Sequence, residues 1–174
     1  MKKRILRFRT TAVAVMMGLL LSIAGLTKMY AQVTIGDLQY YLSTGYSGAY
    51  ATVAGHKDGS LATGTLTIPE TVTYEGVTYT VYKVGNSAFS GCNHLTGNLF
   101  IPNSVTIIGD CAFMNCTGIT GRLTIGDSVT YMGGEVFKNC FFDEIYYNAI
   151  NCSDFWYPSY PFESCGGGTL IIGN

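Results

Sequence analysis

The chain has 174 residues, a formal net charge of −1, 48% hydrophobic residues and 12% charged ones, a balance suited to a packed globular chain rather than a disordered one. Six of the ten Lys and Arg residues fall before position 29, so from Gln32 onward Lys57, Lys83, Arg122 and Lys138 face all eleven acids, a balance of −7. That charge excludes an electrostatic attraction to nucleic acid or to an anionic membrane surface, and two histidines leave little general acid–base machinery.

Residues 1–31 read as a secretory signal peptide. Lys2, Lys3, Arg4, Arg7 and Arg9 make a basic start, an apolar stretch follows from Ala12 to Ala24, and small residues come after it. Cleavage is expected after Ala31, with Ala24 as a rival position. A permanent membrane span is the competing reading, but the uncharged stretch from Thr10 to Leu26 is 17 residues long, at the lower limit for crossing a bilayer. The protein is therefore expected to be secreted or held at the cell surface.

Residues 32–64 lack the motif that follows them. The segments 35–42 and 50–54 alternate as strands, and Gly45 to Gly48 form a turn between them. This predicts a small N-terminal β-hairpin cap.

Residues 65–174 are repetitive. Gly85-Asn86-Ser87-Ala88-Phe89-Ser90-Gly91-Cys92 recurs as Gly109-Asp110-Cys111-Ala112-Phe113-Met114-Asn115-Cys116 and as Gly133-Gly134-Glu135-Val136-Phe137-Lys138-Asn139-Cys140, 24 residues apart each time. Phe162-Glu163-Ser164-Cys165 is a degenerate fourth copy. A second block, Leu66-Thr67-Ile68-Pro69-Glu70-Thr71-Val72, returns at 99–105 and 123–129. The first two of these blocks are 33 residues apart, and the nine extra residues between Val72 and Gly85 read as an inserted hairpin or loop. The chain stops at Leu170-Ile171-Ile172-Gly173-Asn174, inside another such block, so a longer array is expected.

A period near 24 that opens on Leu-x-Ile is a leucine-rich-repeat period. One unit supplies a short strand and a turn or half-helix and cannot bury its own apolar face, so units must stack into a solenoid. Stacking predicts columns of Leu66/Leu99/Leu123, Ile68/Ile101/Ile125, Val72/Val105/Val129, Phe89/Phe113/Phe137 and Cys92/Cys116/Cys140/Cys165. Because strand side chains alternate, Thr65 and Thr67, Asn98 and Phe100, Arg122 and Thr124, Glu144 and Tyr146, and Thr169 and Ile171 point outward. The candidate binding surface is Thr67, Asn98, Phe100, Arg122, Thr124, Glu144, Tyr146 and, from a later insertion, Trp156.

The blocks Ile-Pro-Asn-Ser-Val at 101–105, Gly-x-x-Ala-Phe-x-x-Cys at 85–92 and 109–116, and Ile-Tyr-Tyr-Asn-Ala-x-Asn-Cys at 145–152 resemble the Bacteroides surface protein A-like (BspA-like, Treponema-type) leucine-rich repeats. The resemblance covers about residues 65–174. It implies an exported or surface-displayed solenoid that adheres to host extracellular proteins such as fibronectin and fibrinogen, or to other bacterial surface proteins. It carries over no catalytic residue and implies no cofactor. Gly126 departs from the family pattern where Pro69 and Pro102 stand, and Val136 replaces an alanine.

Other chemistries find little support. Export permits disulfides, but adjacent parallel side chains of one column would need distortion to bridge, so the four column cysteines are expected to be buried thiols. A bridge, if formed, is expected at the off-column Cys111 and Cys152. No Cys-x-x-Cys occurs for zinc, and no third group orients a Cys–His pair for nucleophilic chemistry. Asp143 and Glu144 are adjacent on a strand and point to opposite faces, so they cannot flank one glycosidic bond. The cluster Phe155-Trp156-Tyr157-Pro158-Ser159-Tyr160-Pro161-Phe162 has two readings. Its aromatics plug the end of the core, or Trp156, Tyr157 and Tyr160 form a stacking platform for a glycan.

Overall fold

The computed structural model describes residues 32–152, 154–155 and 160–173; the expected signal peptide and Trp156 lie outside them. Among the described residues no α-helix occurs, and one turn of 3-10 helix spans Gly59–Leu61.

The chain begins with an antiparallel meander of Gln32–Ile35 (β1), Leu38–Gly45 (β2) and Gly48–His56 (β3). Alternation puts Leu38, Tyr40, Ala51 and Val53 into the core. Lys57 meets Asp37 at 2.6 Å and its N–H donates to the Asp37 carbonyl, closing the meander.

The following strands are Gly64–Thr65 (β4), Thr71–Tyr74 (β5), Val77–Val84 (β6), Leu95–Thr96 (β7), Leu99–Ile101 (β8), Ile107–Ile108 (β9), Arg122–Ile125 (β10), Tyr131–Met132 (β11), Glu144–Tyr147 (β12), Asp154–Phe155 (β13) and Thr169–Ile172 (β14). They form two parallel ladders where one was expected. The first stacks β8, β10, β12 and β14; the second stacks β6, β9, β11 and β13, and the meander joins it through a parallel β3–β6 pair. Each coil of the solenoid thus has two short strands and two corners.

The corners hold residues in the left-handed region of backbone space. Ser87, Cys111 and Glu135 recur at one corner position, and Gly91, Asn115, Asn139 and Ser164 at another. Two such residues within five positions break any helical run, which is why these segments are turns and not half-helices. Cys111 is off the cysteine column because it occupies the first of these positions.

The columns fill the interior. Leu99, Leu123, Ile101 and Ile125 are fully buried and stand in register between β8 and β10. Phe89, Phe113, Phe137 and Phe162 stack with centroids 5.3, 5.5 and 5.2 Å apart and rings near parallel. Leu66 and Ile68 are buried but lie outside the ladders, because the first coil pairs instead through β4 and β7.

The valine column differs from the expected one. The Thr106 N–H donates to the Tyr82 carbonyl, just as that of Thr130 donates to Thr106, so Val81 stands beneath Val105. Val72 pairs with Tyr79 in the inserted hairpin of β5 and β6, whose turn is Glu75-Gly76 with both φ values positive. The motif repeat concealed this, since Val72 and Val81 are both Val in apolar strands. Cys152 is not off-column either. It precedes Asp154 as Val129 precedes Tyr131, so it fills the valine column in its coil.

Candidate functional site

The outward side of the first ladder carries the candidate residues in rows. Register sets Phe100, Thr124, Tyr146 and Ile171 side by side across four strands. A second row is Arg122, Glu144 and Thr169. Neighbouring strands are about 4.8 Å apart, so side chains within a row touch.

These residues hold one another. The Arg122 Nε donates to Glu144 Oε2 at 3.0 Å, and a terminal guanidinium nitrogen lies 2.8 Å from the same oxygen. The guanidinium also sits 4.5 Å from the centre of the Tyr146 ring. The Arg122 charge is therefore satisfied within the face. Phe100 is 53% exposed and supplies the largest free apolar area in its row.

Asn98 faces the solvent edge, but its Oδ1 accepts the Arg122 backbone N–H at 2.8 Å. The same device recurs 24 residues apart at Asn103, which accepts from Asp127, and at Asp110, which accepts from Gly134. Gly126 and Gly133 leave the room these side chains occupy: a Cβ on either would overlap Asn103 or Asp110. Gly126 in place of proline thus has a packing reason.

Thr67 is exposed between buried Leu66 and Ile68, but no ladder pair joins it to Phe100. It lines a separate recess with Asp37, His56, Thr63 and Pro69. Trp156 lies outside the described residues; Tyr160 is exposed, and Phe162 closes the aromatic stack.

The thiols face inward. Cys116 and Cys140 donate to the carbonyls of Phe89 and Phe113 in the preceding coil, at 3.0 and 3.1 Å. Burial pushes the Cys140 thiol up to about 12 and raises that of Cys116 likewise. All six cysteines are thiols. Among the described residues no three His, Cys, Asp or Glu side chains converge on one point. The first ladder's face therefore offers shape, apolar area and hydrogen bonds.

Residues 82–167 match the BspA type leucine-rich repeat region in six copies. The repeat region of this chain belongs to the BspA-type leucine-rich repeats. The BspA-type array is similar in fold to two solved structures. A leucine-rich repeat protein from Bacteroides capillosus is 24% identical, with a TM-score of 0.61 over 82% of this chain and 99% of that one. A leucine rich cell surface protein from Faecalibacterium prausnitzii is 23% identical, with a TM-score of 0.54 over 85% of this chain and 44% of that one. No curated protein matches the chain.

The outward row of the second ladder escaped the sequence reading. Register places Gln32, Tyr41, Thr52, Lys83, Ile107 and Tyr131 in one line across six strands. Its signal was present: Lys83-Val84-Gly85, Ile107-Ile108-Gly109 and Tyr131-Met132-Gly133 recur at the 24-residue period.

Proposed function

We propose that this BspA-type array is an exported surface protein, not an enzyme, that binds other proteins through the outward face of its first ladder. The partners are host extracellular-matrix or plasma proteins, or proteins on other bacterial surfaces. The supporting observation is the row Phe100, Thr124, Tyr146 and Ile171, an unbroken semi-apolar strip flanked by a self-satisfied Arg122–Glu144 pair. Such strips lengthen with each repeat and need no dedicated pocket. The basic and apolar start of the chain supports export, and the Faecalibacterium prausnitzii protein of the same fold is a cell surface protein.

The test is binding of the folded chain to immobilised fibronectin and fibrinogen, beside a variant carrying Phe100→Ser, Arg122→Ser and Tyr146→Ser. Binding that the folded variant loses supports the proposal. Equal binding by both chains contradicts the face assignment, and no binding by the wild type contradicts these two partners.

A further inference from the structure

Four cations follow Gln32, and three of them touch a carboxylate. Lys57 meets Asp37, Arg122 meets Glu144, and Lys138 meets Glu135 and Glu163. Among the described residues Lys83 is the one Lys or Arg outside an ion pair, on a body whose balance is −7.

The backbone presents Lys83 by a local irregularity. Between β3 and β6 the register passes from Ala51↔Val81 to Thr52↔Lys83 and skips Tyr82. Val81 and Val84 are fully buried, whereas Tyr82 and Lys83 between them are both half-exposed. The bulge lets two successive side chains face solvent together, a usual way for a strand to re-aim a side chain. The extra carbonyl is satisfied, since the Tyr82 oxygen accepts the Thr106 N–H at 2.8 Å.

Tyr41, Thr52, Tyr82 and Lys83 line a groove of about 340 Å³ on this face. The Tyr82 ring is braced edge-on by Tyr50 at 5.5 Å, and the Tyr50 hydroxyl donates to the Ser47 carbonyl at 2.8 Å. The groove is thus preformed: two tyrosine rings, a hydroxyl and an ammonium without a counter-ion.

We propose that this groove binds a carboxylated saccharide, with the sugar rings against Tyr41 and Tyr82 and the carboxylate on Lys83. Aromatic rings offer an apolar face with a polar rim, which suits a pyranose ring. The uncompensated cation selects an acidic sugar over a neutral one. An acidic peptide fits less well. The groove lies over β3 and β6, each of which is paired along both edges, so no main-chain edge is open for strand addition. Long polyanions meet repulsion from the acidic body. This site lies on the second ladder and does not depend on the protein-binding proposal.

The test is calorimetric titration of the full chain at low salt with trigalacturonate, its methyl ester and a hexaglutamate peptide. Trigalacturonate is expected to bind saturably, and the neutral ester at least about tenfold more weakly, the scale of one good charge contact. Lys83→Gln is expected to bring trigalacturonate down to the level of the ester, and Tyr41→Ser to weaken both saccharides. Circular dichroism shows whether each variant is folded, and Lys83→Arg, which keeps the charge, is expected to retain binding. Absence of saturable binding by the wild type, equal binding of acid and ester, unchanged binding by folded Lys83→Gln, or tighter binding of the peptide each overturns the proposal.

Discussion

Asn98 stands at the edge of the proposed protein-binding face, yet its side chain is committed to the coil above it. Its Oδ1 satisfies the Arg122 N–H at 2.8 Å. Asn98→Ala should therefore cost about 1 kcal/mol of stability, the usual net value of such a bond at an accessible position, as read from chemical denaturation. Arg122 behaves differently. It is exposed and paired with Glu144, and exposed pairs contribute about 0–1 kcal/mol. Arg122→Ser should leave the denaturation midpoint almost unchanged, so a loss of binding in that variant reports on the face and not on the fold. A midpoint shift larger for Arg122→Ser than for Asn98→Ala would contradict both assignments.

At the scale of the element, the aromatic column is the densest packing in the array. Phe113 is fully buried between Phe89 and Phe137, with near-parallel rings on both sides. Phe113→Ala removes a whole ring from a column that cannot collapse without shifting two coils, and should cost about 3–5 kcal/mol. Phe113→Leu should cost clearly less, and equal losses would show that the column relaxes freely. The repeating motif made this column legible, because Phe and Cys recur at an unbroken 24-residue spacing. The second ladder was not legible by the same means. Its strands β9 and β11 are two residues long, too short for alternation to show, and they hide between the motif blocks. The inserted hairpin obscured the valine column, since both Val72 and Val81 sit in runs that read as strands. Of the candidate surface, the rows on β8, β10 and β12 followed from alternation alone. Thr67 did not join them, because pairing in the first coil shifts to β4 and β7.

The whole molecule concentrates its titratable liabilities at alkaline pH. Burial raises the thiols of Cys116 and Cys140, the latter to about 12, and raises Tyr40 to about 12. An unfolded thiol ionises near its ordinary value of about 8.5 and an unfolded tyrosine near about 10. Below those values both states are protonated and stability does not depend on these groups. Above them the unfolded chain loses protons that the folded chain keeps, so stability falls as pH rises toward the folded values. Each of the two thiols then costs roughly 1.4 kcal/mol per pH unit. The melting temperature should decline progressively from pH 9 to pH 11, faster once Tyr40 joins. Cys140→Ala, compared with its own value at pH 8, should decline less. A melting temperature flat across that range would mean that these groups are not buried in the folded chain.

The molecule also presents two outward faces, one on each ladder, and the account assigns protein binding to the first. The most direct measurement is a pair of binding isotherms on immobilised fibronectin or fibrinogen, one for Phe100→Ser and one for Tyr41→Ser, each beside the wild type. Phe100 is the most exposed apolar side chain of the first face's central row, and Tyr41 is its counterpart on the second. The account predicts that Phe100→Ser weakens binding at least about tenfold, as expected for a central aromatic contact, while Tyr41→Ser leaves it unchanged. The reverse order, or equal affinities for all three folded chains, would contradict it.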